Sequence, residues 1–207
     1  MRVISVNVGR AVDADWAGKL GRTAIDKKPV THRVPVSPGG LAGDERADRA
    51  NHGDATHAVY AYAREDYAWW EGELGRPLRD GEFGENLTTS GIDVNGAVLG
   101  ERWRVGSALL EVSGPRIPCV VFRNWMEEKG WVKRFTEANR TGAYLSVVEN
   151  GDVGVEDQVT IVERPDGSVS VAESVLAYHG DKDALARILA YPGHSPFWDE
   201  RAARLLG

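Results

Sequence analysis

Cys119 is the only cysteine among 207 residues, and it closes the run Ser113-Gly114-Pro115-Arg116-Ile117-Pro118-Cys119. A lone thiol can form no intrachain disulfide and no four-cysteine metal site. Any chemistry it performs is done as a nucleophile or as a single thiolate ligand. Arg116 and the two prolines of this run are one way to hold a thiolate beside a positive charge in a stiff turn. The competing reading is inert, because free cysteine is among the most buried residue types and often packs as a small hydrophobe.

Three other segments carry polar or special-backbone residues that a plain core would not need. Thr23-Ala24-Ile25-Asp26-Lys27 puts a hydroxyl and an ammonium near the start of a strand. Gly43-Asp44-Glu45-Arg46-Ala47-Asp48-Arg49-Ala50-Asn51-His52-Gly53 and Gly81-Glu82-Phe83-Gly84-Glu85-Asn86-Leu87-Thr88 are the other two. Arg22, Lys27, Lys28, His32 and Arg33 are opposed locally only by Asp26; they form either a cradle for a phosphorylated small molecule or a solvated strand face. His52 beside Gly53 is either a capped loop residue or a proton donor. His52 and His57 with Asp44 and Asp48 fit no standard zinc spacing. Glu85 and Asn86 after Gly84 can cap a turn. Trp69, Trp70, Trp125, Trp131 and Trp198 fall mostly on helical stripes and read as packing residues.

The elements that must position these residues are short. Ile4, Val6 and Val8 alternate as a first strand, and Val30, His32, Val34 and Val36 alternate again with Pro29 and Pro35 confining them to an edge. Ala58–Tyr62 reads as a buried strand and Glu65–Leu74 as a helix closed by Gly75. Gly106-Ser107 between apolar strands signals a hairpin. A helical region follows Cys119 to about Asn139, broken at Gly130, and Tyr144–Val148 and Val159–Val162 are further strands. After Pro165-Asp166-Gly167 the pattern becomes helical: Ser170 and Glu173 have capping-box spacing, Asp181 caps a second helix, and Ser195-Pro196 opens a third. These three helices cannot build a core alone and must dock on the rest or on a second subunit. Short strands with glycine corners predict a mixed, mainly β fold: a bent barrel with helical excursions over 1–165 and a small three-helix module over 168–207. No Gly-x-Gly-x-x-Gly follows the first strand, which argues against a dinucleotide fold.

Hydrophobic residues at 42% and charged residues at 27% describe an ordinary soluble domain. No apolar run approaches the ~20 residues needed to cross a bilayer, so no membrane partner is expected. A formal charge of −6 argues against a nucleic-acid backbone binder. One cysteine and no export signal point to the cytoplasm.

Taken in order, Gly43-Asp44-Glu45 with His52-Gly53, Phe83-Gly84-Glu85-Asn86-Leu87, Gly100-Glu101-Arg102-Trp103 and Pro115-Arg116-Ile117-Pro118-Cys119 resemble the MOSC domain family, named for the C-terminal domain of molybdenum cofactor sulfurase, in its stand-alone YiiM-like form. Two departures stand out: Gly53-Asp54 replaces the family's paired glycines, and the last helix ends early at Gly207. The resemblance implies a closed, strongly bent MOSC-type β-barrel that binds a molybdopterin-type molybdenum cofactor. Cys119 matches the proposed molybdenum ligand, which suits a soft metal, and a cation at Arg116 would favour the thiolate. Lys27 and Arg116 would hold the pterin phosphate and carboxamide edges, joined by Arg22 from local charge. Thr23, Asn86 and Thr88 are further cofactor or substrate contacts, and His52 becomes a catalytic proton donor. The implied activity is reduction of N-hydroxylated compounds such as purine-type bases to amines, a detoxifying reaction. The electrons would come from a separate protein, since one cysteine cannot hold an iron–sulfur cluster. Two alternatives stay open: a sulfur or cofactor carrier using Cys119, and a metal-free cysteine hydrolase with His52 as base. A homodimer is expected because the helical tail and several aromatics need partners.

Overall fold

The structure, a computed structural model, describes residues 1–47 and 55–206. Its strands in chain order are β1 (Arg2–Val8), β2 (Val12–Asp13), β3 (Arg22–Thr23), β4 (Lys28–Val30), β5 (Val34–Ser37), β6 (Gly40–Leu41), β7 (Val59–Ala63), β8 (Leu87–Ser90), β9 (Arg102–Val105), β10 (Ala108–Pro115), β11 (Ala143–Glu149), β12 (Gly151–Val153) and β13 (Val159–Glu163). The helices are α1 (Arg64–Leu74), α2 (Val120–Met126), α3 (Trp131–Ala138), α4 (Val171–Tyr178), α5 (Lys182–Ala190) and α6 (Pro196–Leu206). Among the described residues no helix is long and apolar enough to cross a membrane.

The main sheet runs β13-β9-β10-β11-β7-β8-β1-β4. Its pairs are antiparallel except β7 with β8, which is parallel. Parallel pairing needs a long crossover, and the chain from α1 to the 75–86 loop supplies it. The crossover returns the chain so that Ala61 lies opposite Leu87 and Tyr62 opposite Thr88. β1 lies between β8 and the edge strand β4, and its polar Ser5 and Asn7 are buried with Val3 and Val6. They satisfy each other, Ser5 Oγ donating to Asn7 Oδ1 at 2.7 Å.

The closed barrel expected from the sequence does not form; the class is mixed α/β with an open mixed sheet. β4 covers the outer edge of β1 only from Val6 to Val8. The other end of β1 meets the chain before β13 through a single bridge, Arg2 with Gln158, and a few backbone bonds. Glu156 at φ 69° turns the chain out of extended geometry where a closing ladder would have to continue. A second correction concerns the alternating run from Val30 to Val36. A bend at Thr31 and His32 divides it, so that β4 joins β1 while β5 pairs with β12 and β6 in a separate three-stranded sheet. Pro29 and Pro35 each remove a ladder donor, which limits how far either strand extends.

The helical tail docks on this chain's own sheet. Val169, Val171, Ala177, Leu185, Ile188 and Trp198 are continuous with the core of Val3, Leu87, Trp103, Leu110 and Leu145. The Ser170–Glu173 capping box closes in both directions, and Asp181 caps α5 through the Ala184 amide. A second core is aromatic: Tyr62, Tyr67, Trp70, Phe83, Phe122, Trp131 and Phe135 interlock, with Phe83 and Phe122 edge to face at 5.3 Å. It stands directly behind the segment that carries Cys119.

Candidate functional site

A cavity of about 560 Å³ opens between residues 17–27, the 83–86 loop and the segment that joins β10 to α2. Pro115 ends β10, and residues 116–119 continue without regular structure to Cys119, which N-caps α2 at φ −114°, ψ 175°. In a regular strand positions three apart would face opposite sides. Here the irregular backbone brings both Arg116 and Cys119 to the cavity wall, with Cys119 half-buried.

Arg116 is buried at 6% exposure, and no described carboxylate pairs with it. Its guanidinium carbon lies 3.5 Å from the centroid of the Phe122 ring, with Tyr60 and Phe135 at 5.6 and 5.8 Å. Stacked aromatic faces are one way to hold a cation away from water. Arg116 also acts electrostatically on the neighbouring Tyr144 hydroxyl, and its own Nη1 is buried without any partner. Burial pushes the Tyr144 phenol above its ordinary value, against the pull of Arg116. Tyr60 and Tyr144 are direct cross-strand partners on β7 and β11, and both line the cavity.

The opposite wall is an ion pair. Lys27 Nζ is bound to Asp44 Oδ1, with both side chains nearly sealed from solvent. Asp44 Oδ1 also accepts from the Gly9 amide at 2.7 Å, and Oδ2 accepts from Asn86 Nδ2 at 2.9 Å. Burial lowers the Lys27 ammonium below its ordinary value, and Asp44 only partly opposes this. Asn86 is held in turn by the sheet: its Oδ1 accepts from the Tyr60 amide at 3.1 Å and its Nδ2 donates to the Asn7 carbonyl at 3.2 Å.

Of the residues singled out in the sequence, Cys119, Arg116, Lys27, Thr23, Asn86 and Arg22 share this cavity. Thr23 Oγ1 is engaged by the Ile25 amide at 3.1 Å, and Arg22 is exposed and paired with Asp13 at 3.2 Å. Thr88 is not part of the lining. It is fully buried behind the wall, where it donates to Glu85 Oε1 at 2.8 Å and accepts from Asn7. Glu85 also takes the Tyr67 hydroxyl and the Gly81 amide, and burial raises its carboxyl above the usual range. His52 and Asp48 lie outside the described residues. Among the described residues no group of three or more His, Cys, Asp or Glu is placed to hold a metal ion. The basic cluster disperses: Lys28 pairs with Asp26, and Arg33 with Asp152 and Asp157 on the far side of β5. What sequence reasoning missed is the role of Asp44, the aromatic wall of Tyr60 and Tyr144, and the strap Ala17–Leu20 along the rim. The apolar alternation around Tyr60 and Tyr144 marked strands, but no local signal said that the two would meet.

The donor set fits a pterin-borne soft metal. It offers one accessible thiol, a buried guanidinium with a spare donor, and mainly apolar walls around a volume suited to a cofactor-sized ligand.

The sequence model of the MOSC domain matches residues 48–160. Over 199 residues the chain is 34% identical to the uncharacterized protein YflK of Bacillus subtilis (strain 168), spanning 95% of this chain and 90% of that one. It is 30% identical over 168 residues to a protein named "Reductase" from Gibberella moniliformis, which spans 79% of this chain but only 29% of that much longer one. Among solved structures, YiiM from Geobacillus stearothermophilus superposes with a TM-score of 0.82 at 28% identity, covering 100% of this chain and 99% of that one.

Proposed function

The chain belongs to the MOSC domain family, and on that premise we propose that it is a molybdenum-cofactor-dependent reductase of N-hydroxylated compounds, N-hydroxylated purine bases among them. The family is associated with molybdenum-cofactor binding in general, and one relative carries the name reductase. The observation that carries the reading is the meeting, in one cavity, of the chain's only thiol and a buried guanidinium with an unpartnered nitrogen. The cofactor would supply the two-electron chemistry.

Cys119 would ligate the metal as a thiolate. Arg116 would take an anionic group of the cofactor in a charge-assisted bond from the part of its guanidinium that lines the cavity. Tyr60, Tyr144 and Phe83 exclude water and offer ring faces to a planar base. Overall, an N-hydroxylated base takes up two electrons and two protons, its N–O bond breaks, and the amine and water leave. We place the electron donor on a separate protein, because a single cysteine cannot hold an iron–sulfur cluster.

The test is metal analysis and turnover on protein from cells that make the cofactor. The wild type should carry molybdenum near one per chain and, with an artificial reductant, convert hydroxylaminopurine to the amine. Cys119→Ser should lose both and keep its fold. Equal molybdenum in the two proteins, or a sulfur adduct on Cys119 without molybdenum, would overturn the reading; the second result would point to a sulfur carrier.

A further inference from the structure

We propose that Asp44, pinned by Asn86 and the Gly9 amide, is a positioning residue that withholds Lys27 from anionic ligands and leaves Arg116 as the buried cation without a counter-charge. Of the five lysines and arginines lining the cavity, Lys19, Arg22, Lys27, Arg46 and Arg116, Lys27 and Arg116 are the buried ones, and charge alone would assign a buried anion to either. Their surroundings differ. Lys27 has a carboxylate in direct contact, so that pair contributes no net charge to the wall. Arg116 has aromatic faces around it, no described carboxylate in contact and a buried nitrogen without a partner.

The pairing of Lys27 is built to persist. Asp44 cannot readily turn its carboxylate away from the ammonium, because each oxygen is already committed, Oδ1 to Gly9 and Oδ2 to Asn86. Asn86 cannot follow such a rotation, because its side chain bridges the backbones of β7 and β1 through Tyr60 and Asn7. Its own amide and carbonyl are also bonded to those strands, at 2.8 Å to the Tyr60 carbonyl and 2.7 Å to the Asn7 amide. The carboxylate is therefore fixed by the sheet rather than by a flexible loop. The charged groups acting on Lys27 are Asp44 and, farther off, Glu85 and Arg46. Glu85 is spoken for by Tyr67, Thr88 and Gly81, and Arg46 donates to the Gly39 carbonyl. Asp44 is thus the close counter-charge. The consequence is a division of labour: a ligand's anionic group goes to Arg116, and Lys27 meets at most a neutral oxygen.

The inference rests on the proposed function only in placing the ligand in this cavity. Its test uses neither cofactor nor turnover: inorganic phosphate is titrated calorimetrically into the full chain at pH 6. Arg116→Gln should weaken binding by roughly tenfold or more, as expected for loss of a charge-assisted hydrogen bond. Lys27→Gln should change it by less than about threefold, because its charge is already cancelled. Asp44→Asn frees the ammonium and should tighten binding by about threefold or more. Should Asp44→Asn fail to fold, Asn86→Ala leaves the carboxylate but unpins it, and should shift affinity the same way by a smaller factor. Lys27→Gln costing as much as Arg116→Gln would overturn the proposal. So would an unchanged or weakened Asn86→Ala or a folded Asp44→Asn, or a wild type that takes up no phosphate at millimolar concentration. A chain that passes these tests but never carries molybdenum would refute the reductase reading and leave this division standing.

Discussion

Replacing Arg116 by methionine separates a binding role from a structural one, because the two make opposite demands on stability. On the favourable side, the guanidinium lies over the Phe122 ring at 3.5 Å with Tyr60 and Phe135 near. Such contacts contribute about 1–2 kcal/mol together when desolvated. Against this, Nη1 is sealed from water with no acceptor, which costs about 1–3 kcal/mol for the unmade bond alone. Methionine is of similar length and keeps much of the contact with the aromatic rings. The opposing amounts nearly cancel, so Arg116→Met should change stability by no more than about 1 kcal/mol, a melting shift of roughly 2–4 °C for a chain of this size. Over the same substitution phosphate affinity should fall by at least about tenfold. Urea unfolding followed by tryptophan fluorescence gives the first quantity and calorimetry the second. A loss beyond about 3 kcal/mol would mean that the arginine holds the fold together, and the argument from its unpartnered nitrogen would fail.

Two further outcomes follow from the groups behind the wall. Glu85 is fully buried and its folded carboxyl titrates above the ordinary 4.5, chiefly through burial. A raised value means a contribution that is complete below the unfolded value and is lost as pH climbs through the folded one. The stability advantage of wild type over Glu85→Gln should therefore shrink as the pH rises above the ordinary carboxyl value in urea titrations; an advantage that grew with pH would contradict the burial argument. Gly142→Ala should cost about 3 kcal/mol by the same assay, since an added Cβ at φ 68° would sit 2.5 Å from the Ala61 carbonyl oxygen. Gly130→Ala, at φ 70° with open space around it, should cost only about 1 kcal/mol of backbone strain. Equal costs at the two glycines would show that the β7–β11 contact is looser than it stands.

What could be read without coordinates was whatever a few neighbouring residues decide among themselves. The Gly106-Ser107 hairpin, the αL glycine at Gly75 ending α1, the break before α3 and the Ser170–Glu173 capping box all formed where their residues indicated. The motif order around Gly43, Phe83 and Cys119 sufficed for the family, because those segments carry their pattern locally. Tertiary structure alone decided the rest. Whether the sheet closes depends on how the ends of β1 and β13 meet across the whole chain, and there they share only a single bridge and a few backbone bonds. Thr88 stands behind the cavity wall because Glu85, out of sight in any reading of side-chain type, takes its hydroxyl there. Lys27 looked like a free cation because Asp44 is 17 residues away in sequence. Arg116 and Cys119 face one cavity only because their backbone leaves the strand between two prolines. A cation's meaning lies in what stands against it, and contact between residues distant in sequence is set by packing, which no local pattern encodes.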